Sequence, residues 1–332
     1  MGFLGDIGHL IMTPLYYAIS AVLVAWHWLF TNLFQMNPDG GATWVLSIIG
    51  LTITVRAALI PLFVKQINSS RNMQLIQPKV KELQKKYGHD RERLAQETMK
   101  LYKESGTNPF ASCLPILIQM PIFLALFRLL DHHAANGSGI AFLTDPLAES
   151  FGNAELFGVV PLSATFLDNG GVLAVQVVAA VLVIAMTATT FTTQRQLMSK
   201  NMPADALSGP YAQQQKLLLY VLPVVFAVGG IAFPIGVLFY WTTSNLWTMG
   251  QQFYVIRNNP APGTEAFTAK AERDRLKAEK HGKSVETVVV EEPEPEARPQ
   301  ARQQPKKQSR EQRKKSSGPK PAPKPKPEGG NQ

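Results

Sequence analysis

The chain has 332 residues, of which 45% are hydrophobic and 17% charged, with a formal net charge of +9. Its single cysteine, Cys113, excludes a disulfide framework and any multi-cysteine metal site. Long apolar runs fill residues 10–256 and are nearly absent from 257–332, a segregation that excludes an ordinary soluble globular protein and points to a multi-pass, all-α membrane protein.

The opening segment, MGFLGDIGHL, has no Lys or Arg and so lacks the charged start of a cleaved signal peptide. Residues 13–34 are apolar but interrupted by Pro14, His27 and Asn32. They read as an amphipathic helix on the outer membrane face, inside an outer segment 1–43; the alternative is a sixth span. The first window long enough to cross roughly 30 Å of hydrocarbon is 44–66, with Trp44 marking the outer interface and Lys65 the inner one. At 1.5 Å per residue, Arg56 lies about 18 Å from Trp44 and about 13 Å from Lys65. A guanidinium cannot shed its proton, and holding it at the bilayer centre costs roughly 2.5–3.5 kcal/mol on insertion scales. No span contains an Asp or Glu to pair with it. Either a water-filled hollow reaches Arg56 from the cytoplasm, or its stem snorkels toward Lys65.

Residues 67–108 predict a charged helical hairpin. Pro78 suits a first turn, Ile76, Val80, Leu83 and Tyr87 repeat at helical spacing, and Gly88 ends the run. Leu94, Thr98 and Leu101 begin a second stripe that Gly106 ends, and both stripes are too narrow for a large core. A second span follows at 110–130 with Gln119 inside it, then an outer loop at 131–171 and a third span at 172–194. In the third span Gln176, Thr187, Thr190 and Gln194 share one helical face. The loop 195–214 leads to spans at 215–232 and 234–256. The last carries two neighbouring polar stripes, Tyr240, Ser244, Trp247 and Gln251 beside Trp241, Asn245, Thr248 and Gln252. Such residues commonly hold transmembrane helices together; with an unpaired arginine they are equally the lining of one wet groove.

Ten of the 33 basic residues fall in 65–103, none in 132–171, and eighteen in 257–332. Positive loops stay in the cytoplasm, so five spans place the N-terminus outside and the C-terminus inside the plasma membrane. The tail 257–332 runs through EEPEPEARPQ into basic and Lys-Pro clusters. That composition predicts disorder and salt-dependent binding of anionic lipid or of RNA, such as a ribosome.

Three segments, TVRAALIPLFVKQ, GTNPFASCLPILIQMPIFLALFRLL and FPIGVLFYWTTSNLWTMGQQ, resemble the YidC-type membrane protein insertases over about residues 13–258. The resemblance is to the five-span form without a large periplasmic domain. It implies a five-helix core around a hydrophilic groove open to the cytoplasm and to lipid but closed toward the outside. It also implies an insertase and chaperone for nascent membrane proteins, not an enzyme in the bond-making sense, needing no cofactor or metal. The family's groove arginine matches Arg56, its aromatic position on the last span matches Tyr240 or Trp241, and its groove glutamine matches Gln194. With Gln119, Thr187, Thr190, Ser244 and Asn245 these make up the expected client-binding groove. The hairpin matches the region that meets the targeting machinery, and the general secretion channel and membrane lipids are further expected partners. The rival readings are an anion transporter with Arg56 binding its solute, and an assembly scaffold without insertase activity.

Overall fold

The computed structural model describes residues 3–106, 114–200, 210–261 and 263–281. Cys113, residues 201–209 of the loop 195–214 and the tail beyond His281 lie outside the described residues. The fold is helical: α1 (Phe3–Asn32), α2 (Gly41–Ala58), α3 (Ile60–Leu75), α4 (Gln77–Tyr87), α5 (Arg91–Glu104), α6 (Leu114–Arg128), α7 (Asp145–Gly152), α8 (Leu173–Lys200), α9 (Pro210–Gly230), α10 (Ile235–Asn258) and α11 (Glu265–Lys280), with β1 (Glu155–Leu156) and β2 (Val160–Pro161) between α7 and α8. Among the described residues, three helices are long and apolar enough to cross a membrane: α1 over Met12–Asn32, α2 and α8. α10 has the length, 24 residues, but carries Thr242, Thr243, Ser244 and Asn245 in mid-helix.

α10 is the central helix. It packs on α2 and on α8, with α9 against α8 and α1 against α2 and α6. Ile48, Leu51, Val175, Ala179, Val237 and Leu238 form the buried seam between these helices.

The stretch 44–66 is not one helix. α2 ends at Ala58, Leu59 forms a turn, and α3 starts at Ile60. The cause is Pro61, which has no N–H to donate and whose ring collides with the carbonyl four residues back. α3 therefore starts as a separate helix at Ile60.

The loop 131–171 folds into an ordered cap. α6 continues through a π-helical turn at Leu129–His133 and a 3-10 turn at Ala134–Asn136. α7 and the two-stranded hairpin follow, paired antiparallel with Glu155 opposite Pro161. Phe151, Leu143 and Leu162 are fully buried beneath it. The first N–H groups of α10 have no partner within their own helix. Here the cap supplies them: Ile235 N donates to the Ala164 carbonyl at 3.0 Å and Gly236 N to the Leu162 carbonyl at 2.9 Å.

Trp44 sits under this cap and is not an interfacial anchor, contrary to the sequence expectation. It is wholly buried, stacked on His27 with ring centroids 4.1 Å apart and edge-on to Phe151 at 5.4 Å. Its indole N–H donates to the Ser150 hydroxyl at 3.1 Å.

α1 is longer than the stretch 13–34, beginning at Phe3. Tyr16 meets His133 of the π-turn, the Ser20 hydroxyl accepts from Phe142 N at 3.1 Å, and the Trp26 indole donates to the Thr54 hydroxyl at 3.0 Å. The flat face of Trp26 fits because position 50 is glycine: a Cβ there would come within 2.5 Å of the ring.

The closest backbone approach is at Gly41, where a Cβ would lie 2.4 Å from the main chain of Glu155 and Leu156. Backbone cannot step aside as a side chain can. Gly41→Ala is therefore expected to destabilise the folded protein by about 1–3 kcal/mol, the usual scale of overpacking. A thermal melt in detergent checks it, with Gly250→Ala, which meets nothing within 4 Å, as the neutral control.

α4 and α5 pack on each other. Asp90 caps α5 by accepting from Arg93 N at 3.0 Å, and Gly88 closes α4.

The expectation of a tail disordered from 257 onward is corrected on one segment. α10 runs to Asn258, and Glu265–Lys280 is helical. EAFTAKAERDRLKAEK is rich in strong helix formers. Thr264 opens the helix by accepting from Phe267 N at 3.3 Å, and a Lys270–Asp274 pair at 3.9 Å supports it one turn apart.

Candidate functional site

Arg56 occupies the last turn of α2, just before the Pro61 break. Its partner is on α10, 188 residues away: Nε donates to the Ser244 hydroxyl at 3.0 Å and Nη2 donates to the same oxygen. The guanidinium also stands 5.8 Å from the centre of the Phe63 ring, a cation–π distance. Phe63 was not among the expected site residues. It lies beyond the Pro61 break, in the first turn of α3, so no periodicity within one helix marks it.

A guanidinium carries five N–H donors, and the Ser244 hydroxyl takes two of them. Among the described residues no carboxylate pairs with it, and Arg56 is only half-buried. Three of its donors are therefore not taken up by Ser244.

The cluster extends along α10. Tyr240 stands one helical turn from Ser244, and both are almost fully buried, at 4% and 3% exposure. The Tyr240 hydroxyl accepts a hydrogen bond from Gln119 Nε2 on α6 at 2.6 Å. α2, α6 and α10 are thus joined by the run Arg56–Ser244 and Tyr240–Gln119.

The other expected lining residues are arranged differently. Asn245 Nδ2 donates to the Thr190 hydroxyl at 3.2 Å, tying α10 to α8 beside the arginine cluster. Thr187 turns its hydroxyl onto the Val183 carbonyl of its own helix at 2.7 Å. Gln194 is half-buried one turn further along α8. Trp241 points away from Arg56 into an aromatic cluster, with ring centroids 4.9 Å from Phe226, 5.2 Å from Phe123 and 5.4 Å from Phe233. Of the two adjacent aromatics, Tyr240 is on the face that carries Ser244. Consecutive residues differ by about 100° around a helix, so the two rings cannot share that face.

The arrangement offers a fixed positive charge with spare donors, hydroxyl and amide groups on three helices, and a cap formed by residues 131–171 over the start of α10. Among the described residues no group of three His, Cys, Asp or Glu side chains is placed to hold a metal ion. The chemistry available is reversible binding of polar or anionic groups between these helices.

Comparison with known proteins follows the same direction. Residues 35–262 match the family model described as 60Kd inner membrane protein. A Streptomyces avermitilis protein named membrane protein insertase YidC is 48% identical over 274 residues, covering 80% of this chain and 63% of that relative's length. A Tropheryma whipplei protein of the same name is 39% identical and covers 79% of this chain and 89% of its own length. A Mycobacterium tuberculosis one is 35% identical, covering 73% and 71%. The solved structure of an active YidC insertase with its first transmembrane domain resolved aligns with a TM-score of 0.45 and 24% identity, over 72% of this chain and 46% of that one. That likeness is too slight to bear on the site.

Proposed function

This chain belongs to the 60Kd inner membrane protein family, the YidC-type insertases, and from that premise we propose that it inserts and folds integral membrane proteins in the bacterial plasma membrane. Five spans cross the bilayer: α2 with the start of α3, then α6, α8, α9 and α10. α1 lies against the outer face, a reading supported by its contacts with the cap at Tyr16 and Ser20 and with Trp44 at His27. The N-terminus is outside and the C-terminus in the cytoplasm, following the basic loops.

In this reading the client-binding groove centres on Arg56, Ser244, Tyr240 and Gln119, with Thr187, Thr190, Gln194 and Asn245 along α8 and the neighbouring face of α10. A short hydrophilic segment of the client enters from the cytoplasm. Arg56 attracts its acidic residues, because charge acts more strongly where the dielectric is low. The hydroxyls and amides replace part of the water that the segment gives up. Meanwhile the client's apolar helix moves into lipid, a transfer worth roughly 25 cal/mol per Å² of apolar surface. No nucleotide is consumed. The outer cap keeps the groove closed to the exterior, so the segment is held at mid-depth until its helix is anchored.

The observation that carries this is a guanidinium in the last turn of α2 with one hydroxyl partner and no carboxylate among the described residues. The hairpin α4–α5 is the proposed docking point for the targeting machinery, and the basic tail that for the ribosome or anionic lipid. The test is a photo-crosslinker at position 56 during synthesis of a client with a short acidic outer segment. An adduct to that segment is expected. Adducts to lipid alone, at every client length, remove the groove as the route.

A further inference from the structure

One turn toward the basic end from Arg56 and Ser244, the walls of α3 and α10 part. They enclose a cleft of about 470 Å³ lined by Ile60, Val64 and Ile67 on one side and by Trp247, Gly250, Tyr254 and others on α10 to Asn259. The lining is apolar and open to the surroundings: Ile60, Val64 and Tyr254 are 41%, 48% and 64% exposed.

Its lining and length restrict what fills it: Ile60, Val64, Ile67, Gly250, Tyr254 and Val255 present almost only apolar surface. Along α10, Trp247 to Asn259 spans about 18 Å, close to the roughly 15 Å depth of one leaflet's hydrocarbon. The occupant is therefore long, thin and apolar, and ends at the membrane surface.

Charge settles the end group. Lys65 on α3 follows the lining residue Val64, and Arg257 on α10 lies between the lining residues Val255 and Asn259; both are exposed. Arg273 of α11 joins them, its Nη2 donating to the Arg257 carbonyl at 2.7 Å. Neither α3 nor α10 contains an acidic residue, and of the two acidic residues flanking Arg273 on α11, Glu272 and Asp274, the latter is paired with Lys270.

We propose that this cleft is a binding site for one anionic phospholipid of the leaflet facing the basic ends of α3 and α10, with an acyl chain between the helices and the phosphate near Lys65, Arg257 and Arg273. The lipid seals the α3–α10 side of the bundle directly beneath Arg56. The inference stands apart from the insertase reading, since it concerns a wall of the fold and not its client.

The test uses the full chain purified in detergent, supplied with phosphatidylglycerol or phosphatidylcholine and examined by native mass spectrometry. Wild type is expected to retain one phosphatidylglycerol in preference to phosphatidylcholine. Gly250→Leu puts a side chain into the cleft at a position where an added Cβ meets nothing within 4 Å and improves helix propensity, so it should fold and lose the retained lipid. The triple variant K65Q/R257Q/R273Q should lose the headgroup preference. A second reading is quenching of Trp247, taken as the difference between wild type and Trp247→Phe, by phosphatidylglycerol with brominated acyl chains. Retention by Gly250→Leu equal to wild type, equal retention of the two lipids by wild type, or no quenching difference would each overturn the proposal.

Discussion

Arg56→Glu is expected to abolish insertion of a client whose translocated segment is acidic, while Arg56→Lys retains most of it. At roughly 6 Å and an effective dielectric near 20, a unit charge pair is worth about 3 kcal/mol. Reversing the sign turns that attraction into a repulsion of similar size. Each 1.4 kcal/mol is tenfold in an equilibrium, so the loss exceeds about tenfold even after heavy screening. Lys restores the charge with three donors in place of five, and keeps the attraction without the pair of hydrogen bonds to Ser244. The measurement is protease protection of the client in vesicles containing each variant at equal abundance. Equal insertion by the Glu and wild-type proteins would sink electrostatic attraction as the mechanism. A client with a neutral outer segment provides the internal comparison, since its dependence on the sign at position 56 should be weak.

Trp44→Ala is the change expected to cost most in stability. The indole is fully buried, stacked on His27, edge-on to Phe151 and hydrogen-bonded to Ser150. It therefore joins α1, α2 and the outer cap at one point. Removing a buried large aromatic costs about 3–5 kcal/mol, and here the Ser150 hydroxyl keeps only its bond to the Pro38 carbonyl. The lowered melting temperature should come with a looser cap. A cysteine introduced at Ser47, fully buried on α2, should react with a membrane-impermeant thiol reagent from outside only in the Trp44→Ala background. Trp44→Phe, which keeps the stacking and loses the N–H, is expected to fall between. If Trp44→Ala melts with wild type, the cap is not fastened through this ring.

The two predictions address opposite ends of α2, and the sequence informed them unequally. Arg56 was legible because its cost in lipid follows from residue type and depth alone, and because the absence of acidic residues from the spans can be read directly. Its hydroxyl partner was not, since Ser244 lies 188 residues away and nothing local marks which face of α10 turns to α2. Trp44 illustrates the reverse case. An aromatic at the start of an apolar run reads as an interfacial anchor, and only the fold of residues 131–171 over it converts it into core.

What the sequence determined by itself was whatever depends on composition and periodicity: membrane residence, the helical class, the hairpin stripes, the charge bias of the loops, and an arginine within an apolar run while no apolar run holds an acidic residue. These are sums over neighbouring residues, and a single chain contains them in full. The tertiary structure decided which polar side chains meet. It put Tyr240 rather than Trp241 on the arginine's side, paired Asn245 with Thr190, turned Thr187 onto its own helix, broke the first span at Pro61 and folded the outer loop into a lid. Each of these depends on how a helix is rotated about its axis, and that rotation is set by packing against partners distant in the sequence, whose identity no local pattern encodes.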